Sequence, residues 1–258
     1  MKSEGDLLGD EKTWVNLDKL KPTLVESYQS SLRASTPNYL VLDGLFAQKR
    51  LTELVHCLQV SSRWALQQHT YEQLYVDLEQ WSNTPDDDRF VQRAVWRRLG
   101  LDKNSDKPTH ENIASISPLL PTDNLAEEFL RYLRSPPFLR IISDIFQVEL
   151  TDIHVAEPSL NTNFFRLAAH DFIGIHADDS PGREVCMLLY LNQAWPADAG
   201  GELVFRGISD ELIEIAPVFN RCVLFDPSSA GSEHLVNAMN QKYSGEYRYN
   251  VTSWYWSI

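Results

Sequence analysis

The chain has 258 residues, long enough for one catalytic domain with a substantial core or for two small ones. Its 43% hydrophobic and 11% aromatic content fits a soluble globular protein, and a formal net charge of −13 repels phosphate backbones and makes nucleic acid a poor partner. No apolar run approaches the ~20 residues of a membrane helix, the charged opening MKSEGDLLGDEK has no secretory core, and three widely spaced cysteines, Cys57, Cys186 and Cys222, suit a reducing cytoplasm better than a disulfide framework.

In chain order, a short helical lead-in precedes a strand over Tyr39–Asp43. A helix follows, with Leu51, Leu54, Val55 and Leu58 on one face. Residues 82–124 contain SNTPDDDRF and LDKNSDKPTHEN, rich in turn formers and charge, around VQRAVWRRLG. This reads as an irregular insertion, either a lid over a binding site or a solvated surface loop. Asn124 and Glu127 have capping-box spacing for a helix with Leu125, Phe129, Leu130 and Leu133 on its apolar face. Pro136-Pro137 breaks that helix, and Phe138, Ile141, Ile142 and Ile145 give the face of the next.

From about Val148 the pattern changes to short strands separated by Gly, Pro, Asn and Asp. Expected strands are 162–167, 172–176, 185–192, 202–205, 212–216, 221–225, 234–236 and 247–256. Eight strands after a helical half predict an α+β protein. Its core would be a double-stranded β-helix (jelly roll), with N-terminal helices packed on one sheet. The expected organisation is one domain over 1–258, with supporting helices in 1–147 and the jelly roll in 148–258.

The segment FIGIHADDS places His176 and Asp178 two residues apart, on one face of a strand. A His-x-Asp triplet alone is weak evidence, because it often arises by chance. His234 follows the strand RCVLF and the turn-rich DPSSAGSE, where it would start a facing strand. Two histidines and one carboxylate on one face of a metal leave three positions open, as in non-haem Fe(II) oxygenases. His56, His69, His110, His154 and His170 lack a carboxylate at matching spacing on a convincing strand and read as surface or packing residues.

On the last strand, alternation puts Arg248, Asn250, Thr252 and Trp254 on one face. A guanidinium inside a barrel is costly unless it meets an anion. A dicarboxylate could supply one through two parallel hydrogen bonds, with Thr252 adding a third. The alternative is an arginine that reaches solvent or pairs with a protein carboxylate.

The ordered set His176-Ala177-Asp178, Tyr190-Leu191-Asn192, Trp195, Gly200-Gly201-Glu202-Leu203, Pro217, Asn220-Arg221, Phe225, His234 and Arg248 resembles the 2-oxoglutarate/Fe(II) oxygenase superfamily. It is most similar to the prolyl-hydroxylase-like branch, over roughly residues 160 to 256. The resemblance implies His176, Asp178 and His234 as iron ligands. Arg248, assisted by Tyr190 and Thr252, would hold 2-oxoglutarate, and Trp254 would wall the site. Arg183, following the His-x-Asp turn, and Arg166, where the hypoxia-sensing relatives carry tyrosine, are candidate substrate residues along with Trp254. Fe(II), 2-oxoglutarate and O2 are the implied cofactor and cosubstrates, with ascorbate a candidate reductant.

The implied reaction is hydroxylation of an unactivated C–H bond, with release of succinate and CO2. The substrate would be an amino-acid or peptidyl side chain, or a natural-product intermediate. Asp178 fills the position left to halide in related halogenases, which favours hydroxylation. Desaturation or cyclisation at the same iron, a non-catalytic jelly-roll module, and a cupin-type enzyme without 2-oxoglutarate are the other readings. The intact His176, Asp178, His234 and Arg248 set weighs against the last two. The sequence leaves the oligomeric state open.

Overall fold

The structure is a computed structural model that describes residues 13–98, 123–151, 161–209 and 211–257. Five α-helices are described: α1 (Pro22–Ala34), α2 (Gln48–Val60), α3 (Leu78–Asn83), α4 (Asp123–Leu133) and α5 (Pro136–Phe146). Eleven strands join in one hydrogen-bonded sheet that curls on itself. They are β1 (Tyr39–Asp43), β2 (Trp64–Thr70), β3 (Arg89–Trp96), β4 (Thr162–Leu167), β5 (Phe172–His176), β6 (Arg183–Tyr190), β7 (Leu203–Phe205), β8 (Ile213–Ile215), β9 (Arg221–Phe225), β10 (His234–Val236) and β11 (Arg248–Trp256). The order β1-β9-β6-β11-β4-β3-β5-β10-β7-β8, with β2 added outside β3, is a jelly-roll core.

Alternation along β6 shows why the sequence folds this way. Val185, Met187 and Leu189 face a core shared with α2, α4 and α5, built around Leu51, Leu54, Phe129, Phe138 and Ile142. Cys186, Leu188 and Tyr190 point the other way, between the layers of the roll, against Phe205, Val223 and Phe225. A strand covered on both faces reads as a continuous apolar run, and REVCMLLY is one. The three cysteines are free and buried.

All eight strands expected after Val148 are present, with shifted ends: β6 spans Arg183–Tyr190, where 185–192 is expected, and β8 spans Ile213–Ile215, where 212–216 is expected. The expected insertion needs correction. Its described part holds the end of α3 and the eight-residue strand β3, paired along its length with β2. The first half of β3 also pairs with β5 (Val91↔Ile173, Gln92↔Phe172) and the second with β4 (Ala94↔Arg166, Val95↔Phe165). Strands β4 and β5 therefore lie end to end along β3, and the chain turns a corner between them. Asp171 fixes that corner, its carboxylate accepting from the Ala168 N–H (2.8 Å) and Gln92 Nε2 (3.3 Å). Residues 99–122, the rest of the expected insertion, lie outside the described residues.

Asn124 is not an N-cap, because α4 already includes Asp123. The capping box that forms is at α3: the Asp77 carboxylate accepts from the Gln80 N–H (2.8 Å), and the Gln80 side chain accepts from the Asp77 N–H (2.9 Å). Pro136 opens α5 at its first turn, where a missing N–H costs nothing.

Candidate metal and cosubstrate site

Antiparallel pairing of β5 with β10 places His176 directly opposite His234. Their rings lie 4.3 Å apart, centroid to centroid. Asp178 is not on the strand, contrary to the reading of FIGIHADDS, because β5 stops at His176. Its carboxylate is set by neighbours instead. Trp254 Nε1 donates to Oδ2 (2.9 Å), Cys186 Sγ lies 3.6 Å from the same oxygen, and Arg183 Nη1 lies 3.6 Å from Oδ1. Arg183 also donates to the Asp178 backbone carbonyl.

The carboxylate lies 3.9 Å from His176 Nε2 and 3.8 Å from His234 Nε2. Ligand atoms of these three residues fall within 4.8 Å of one another, a spacing that could hold one metal ion. The opposite ring nitrogens support that use. His176 Nδ1 lies 2.9 Å from the Gly174 carbonyl, and His234 Nδ1 lies 3.0 Å from the Ser232 carbonyl. A carbonyl partner places the proton on Nδ1 and leaves the Nε2 lone pair for a metal. Burial, with His176 alongside, pushes the His234 pKa down to about 4, so its ring is neutral at physiological pH. For Asp178 burial acts upward, but His234, His176, the Trp254 N–H and Arg183 together hold it below the usual carboxylate range. Neutral imidazoles and an ionised carboxylate are the forms a divalent ion needs.

These groups line a cavity of about 400 Å³ that also reaches Arg248, Asn250 and Thr252 on the inner face of β11. Arg248 is 1% exposed. Its Nη1 donates to Asn250 Oδ1 (3.2 Å), and Asn250 Nδ2 donates to Thr252 Oγ1 (3.0 Å). Arg248 Nε and Nη2 are buried without an acceptor, and so is the hydroxyl of Tyr190, whose ring lies 4.9 Å from the guanidinium. Burial lowers the Arg248 pKa and raises that of Tyr190, which stays a neutral donor. A buried cation with two idle N–H groups beside an idle phenol fits a carboxylate guest.

Gly201 makes room for this arginine. At φ +79°, a Cβ there would fall 2.8 Å from Arg248 Cδ. The second glycine of the Gly200-Gly201 pair thus serves the site.

Arg183 and Trp254 line the cavity, but both bond to Asp178. Arg166 does not line it. Phe165 and Leu167 take the inward positions of β4, which leaves Arg166 on the opposite face, stacked over Trp64 (4.7 Å) and Tyr247 (4.1 Å). Sequence reasoning missed Arg93 and His69, both lining the cavity from β3 and β2. His69 is buried and packed against Tyr75 and Phe90, in keeping with the packing role read from the sequence, and it also lines the cavity. Its Nδ1 accepts from the Tyr75 N–H (2.9 Å), and burial pushes its pKa down to about 3. No pattern search for metal ligands would have found either residue, because their role depends on a strand pairing that the sequence does not display.

Fold and site give a jelly roll with room for a metal and a carboxylate in one cavity. Residues 162–256 match the model of the 2OG-Fe(II) oxygenase superfamily. That segment is similar to the 2OG-Fe(II) oxygenases, a family that uses Fe(II), 2-oxoglutarate and O2, and His176, Asp178 and His234 could bind iron. A comparison with curated proteins finds no match.

Solved structures share the fold at low identity. A Pseudomonas putida prolyl-4-hydroxylase has 16% identity and TM-score 0.57, over 90% of this chain and 99% of that one. A Burkholderia pseudomallei 2OG-Fe(II) oxygenase family protein has 18% identity and TM-score 0.54, over 90% of each chain. A Trichoplax adhaerens prolyl hydroxylase, solved with a peptide fragment of the hypoxia inducible factor oxygen degradation domain, has 17% identity and TM-score 0.56, over 100% of this chain and 94% of that one. Among the described residues, no helix is long and apolar enough to cross a membrane.

Proposed function

We propose that the chain hydroxylates an unactivated C–H bond of an amino-acid or peptidyl side chain, or of a natural-product intermediate, at iron held by His176, Asp178 and His234. The observation that carries this is the coincidence, in one cavity, of a three-ligand cluster with a buried arginine lacking an anion. Bound Fe(II) with 2-oxoglutarate supplies the oxidising chemistry, and succinate and CO2 are the co-products.

The protein's own groups position and shield. Arg248 Nε and Nη2 would hold the distal carboxylate of 2-oxoglutarate, with the Tyr190 and Thr252 hydroxyls as further donors. Trp254 and Arg183 fix the orientation of the Asp178 carboxylate. An ionised ligand at position 178 leaves no small residue there and no vacancy for halide, which supports oxygen insertion over halogenation.

We read the whole chain as one unit, because β1, β2 and β3 from the first half complete the same sheet. A reducing compartment such as the cytoplasm suits three buried free cysteines. The test is succinate release under air across free amino acids, peptides and small acids. Substrate-dependent succinate matched by a product heavier by one oxygen supports the reading; release that no candidate stimulates and no iron requires sinks it.

A further inference from the structure

The cavity contains a second guanidinium that neither the metal cluster nor the 2-oxoglutarate anchor uses. Arg93 projects into it from β3. Its Nε donates to Gln67 Oε1 (2.8 Å), and its guanidinium lies 3.5 Å over the Phe165 ring. These contacts fix the plane of the group and leave Nη1 and Nη2 without a protein acceptor among the described residues. No carboxylate among those residues pairs with it, whereas Arg183 is already committed to Asp178.

The β2–β3 pairing sets Gln67 opposite Arg93 and His69 opposite Val91. His69, held as an acceptor at Nδ1 by the Tyr75 N–H, also lines the cavity. Charge balance points the same way. Around the cavity stand three guanidinium groups, Arg93, Arg183 and Arg248, against two carboxylates, Asp178 and Asp179, of which Asp179 is exposed. Arg183 pairs with Asp178 and Arg248 would take the cosubstrate carboxylate, so Arg93 is the lining guanidinium left without a carboxylate partner among the described residues. Arg93 is half-buried in the cavity wall, where an anion brought by a bound molecule would stabilise it.

We propose that Arg93, oriented by Gln67 and flanked by His69, receives a carboxylate on the primary substrate. This rests on the oxygenase reading above and narrows its substrate class to carboxylate-bearing molecules. The carboxylate belongs either to a free amino or organic acid or to an acidic side chain of a peptide. Both present the same two oxygens to the two idle N–H groups of the fork. Leu74 and Tyr75, exposed at the cavity mouth, offer apolar contact to the rest of such a molecule.

The test uses the full chain loaded with Zn(II) and saturated with 2-oxoglutarate, so that no turnover occurs, and follows the 15Nε resonances of its arginines. The probes are acetate, benzoate, free amino acids and end-blocked peptides containing one glutamate, each beside the corresponding carboxamide. The resonance missing from Arg93→Gln should shift saturably with carboxylates and not with carboxamides. Arg93→Lys, which keeps the charge but not the fork, should weaken that binding about 10-fold or more. The free acids and the blocked peptides separate the two sources by which of them saturates.

Absence of any saturable shift, equal response to acid and amide, or a shift of the Arg248 resonance instead would overturn the assignment. So would a rise of more than a few-fold in the 2-oxoglutarate Kd of Arg93→Gln, because that would make Arg93 part of the cosubstrate site. Failure of the wild-type protein to bind 2-oxoglutarate at all would strike the oxygenase reading, a separate result.

Discussion

Replacing Arg248 with methionine should have opposite effects on binding and on stability. The guanidinium is 1% exposed, and two of its three nitrogens have no partner. Without an anion it is therefore a desolvated cation held by one 3.2 Å bond to Asn250. An apolar side chain of similar length should leave the cosubstrate-free protein as stable as wild type, or more stable by about 1–4 kcal/mol, as when buried charges give way to packed hydrophobes. The same change removes both N–H groups available to a carboxylate. Losing a charge-assisted bidentate pair costs on the order of 2–4 kcal/mol, so the 2-oxoglutarate Kd should rise about 30-fold to 1000-fold.

Two assays on one preparation separate these effects: urea unfolding without 2-oxoglutarate, and an anaerobic titration of 2-oxoglutarate into Fe(II)-loaded protein, read by the visible absorption of the chelate. Iron affinity should hold steady. A variant that binds 2-oxoglutarate like wild type would refute the anchor. A variant destabilised by more than about 2 kcal/mol in the absence of ligand would refute the claim that the cation is uncompensated.

Further outcomes follow from individual residues. Gly201→Ala puts a Cβ 2.8 Å from Arg248 Cδ at φ +79°; it should weaken 2-oxoglutarate about 10-fold or more while leaving iron content unchanged, as measured by the same titration and by metal analysis. His69 has its folded pKa pushed down to about 3, so the unfolded chain takes up its proton first as pH falls. Its stabilisation is therefore complete above about pH 6.5 and is lost progressively between there and about pH 3. In His69→Gln, urea stability across that window should fall less steeply than in wild type; parallel curves would count against a neutral buried His69. With substrate, 2-oxoglutarate and excess chloride under labelled O2, the product should gain one labelled oxygen and no chlorine by mass spectrometry. A chlorinated product would refute the argument from Asp178.

The second half of the chain was legible because its polar breaks and apolar runs agree with its strands. REVCMLLY is apolar throughout because both its faces are covered, and RYNVTSWYW alternates because one face looks into the cavity. The same cavity hid β2 and β3. WALQQHT and RFVQRAVW present His69 and Arg93 to the cavity, so polar residues interrupt a buried face that would otherwise read apolar. Sites break local patterns in this way. The metal cluster was legible from His176, Asp178 and His234, although Asp178 reaches it by hydrogen bonds from Trp254 and Arg183 rather than by strand geometry. Arg166 misled because a basic residue one position from the inward Phe165 and Leu167 belongs to the other face, which only the pairing of β4 with β11 reveals.

The central claim is that His176, Asp178 and His234 hold the iron on which 2-oxoglutarate binds. Its most direct test is metal content together with the anaerobic visible titration, in wild type and in Asp178→Ala. The account predicts one Fe(II) per wild-type chain, with a visible chelate band that saturates as 2-oxoglutarate is added. In Asp178→Ala, which removes the one anionic ligand, most of the iron and the band should be lost. Equal iron and an equal band in the two proteins would contradict it.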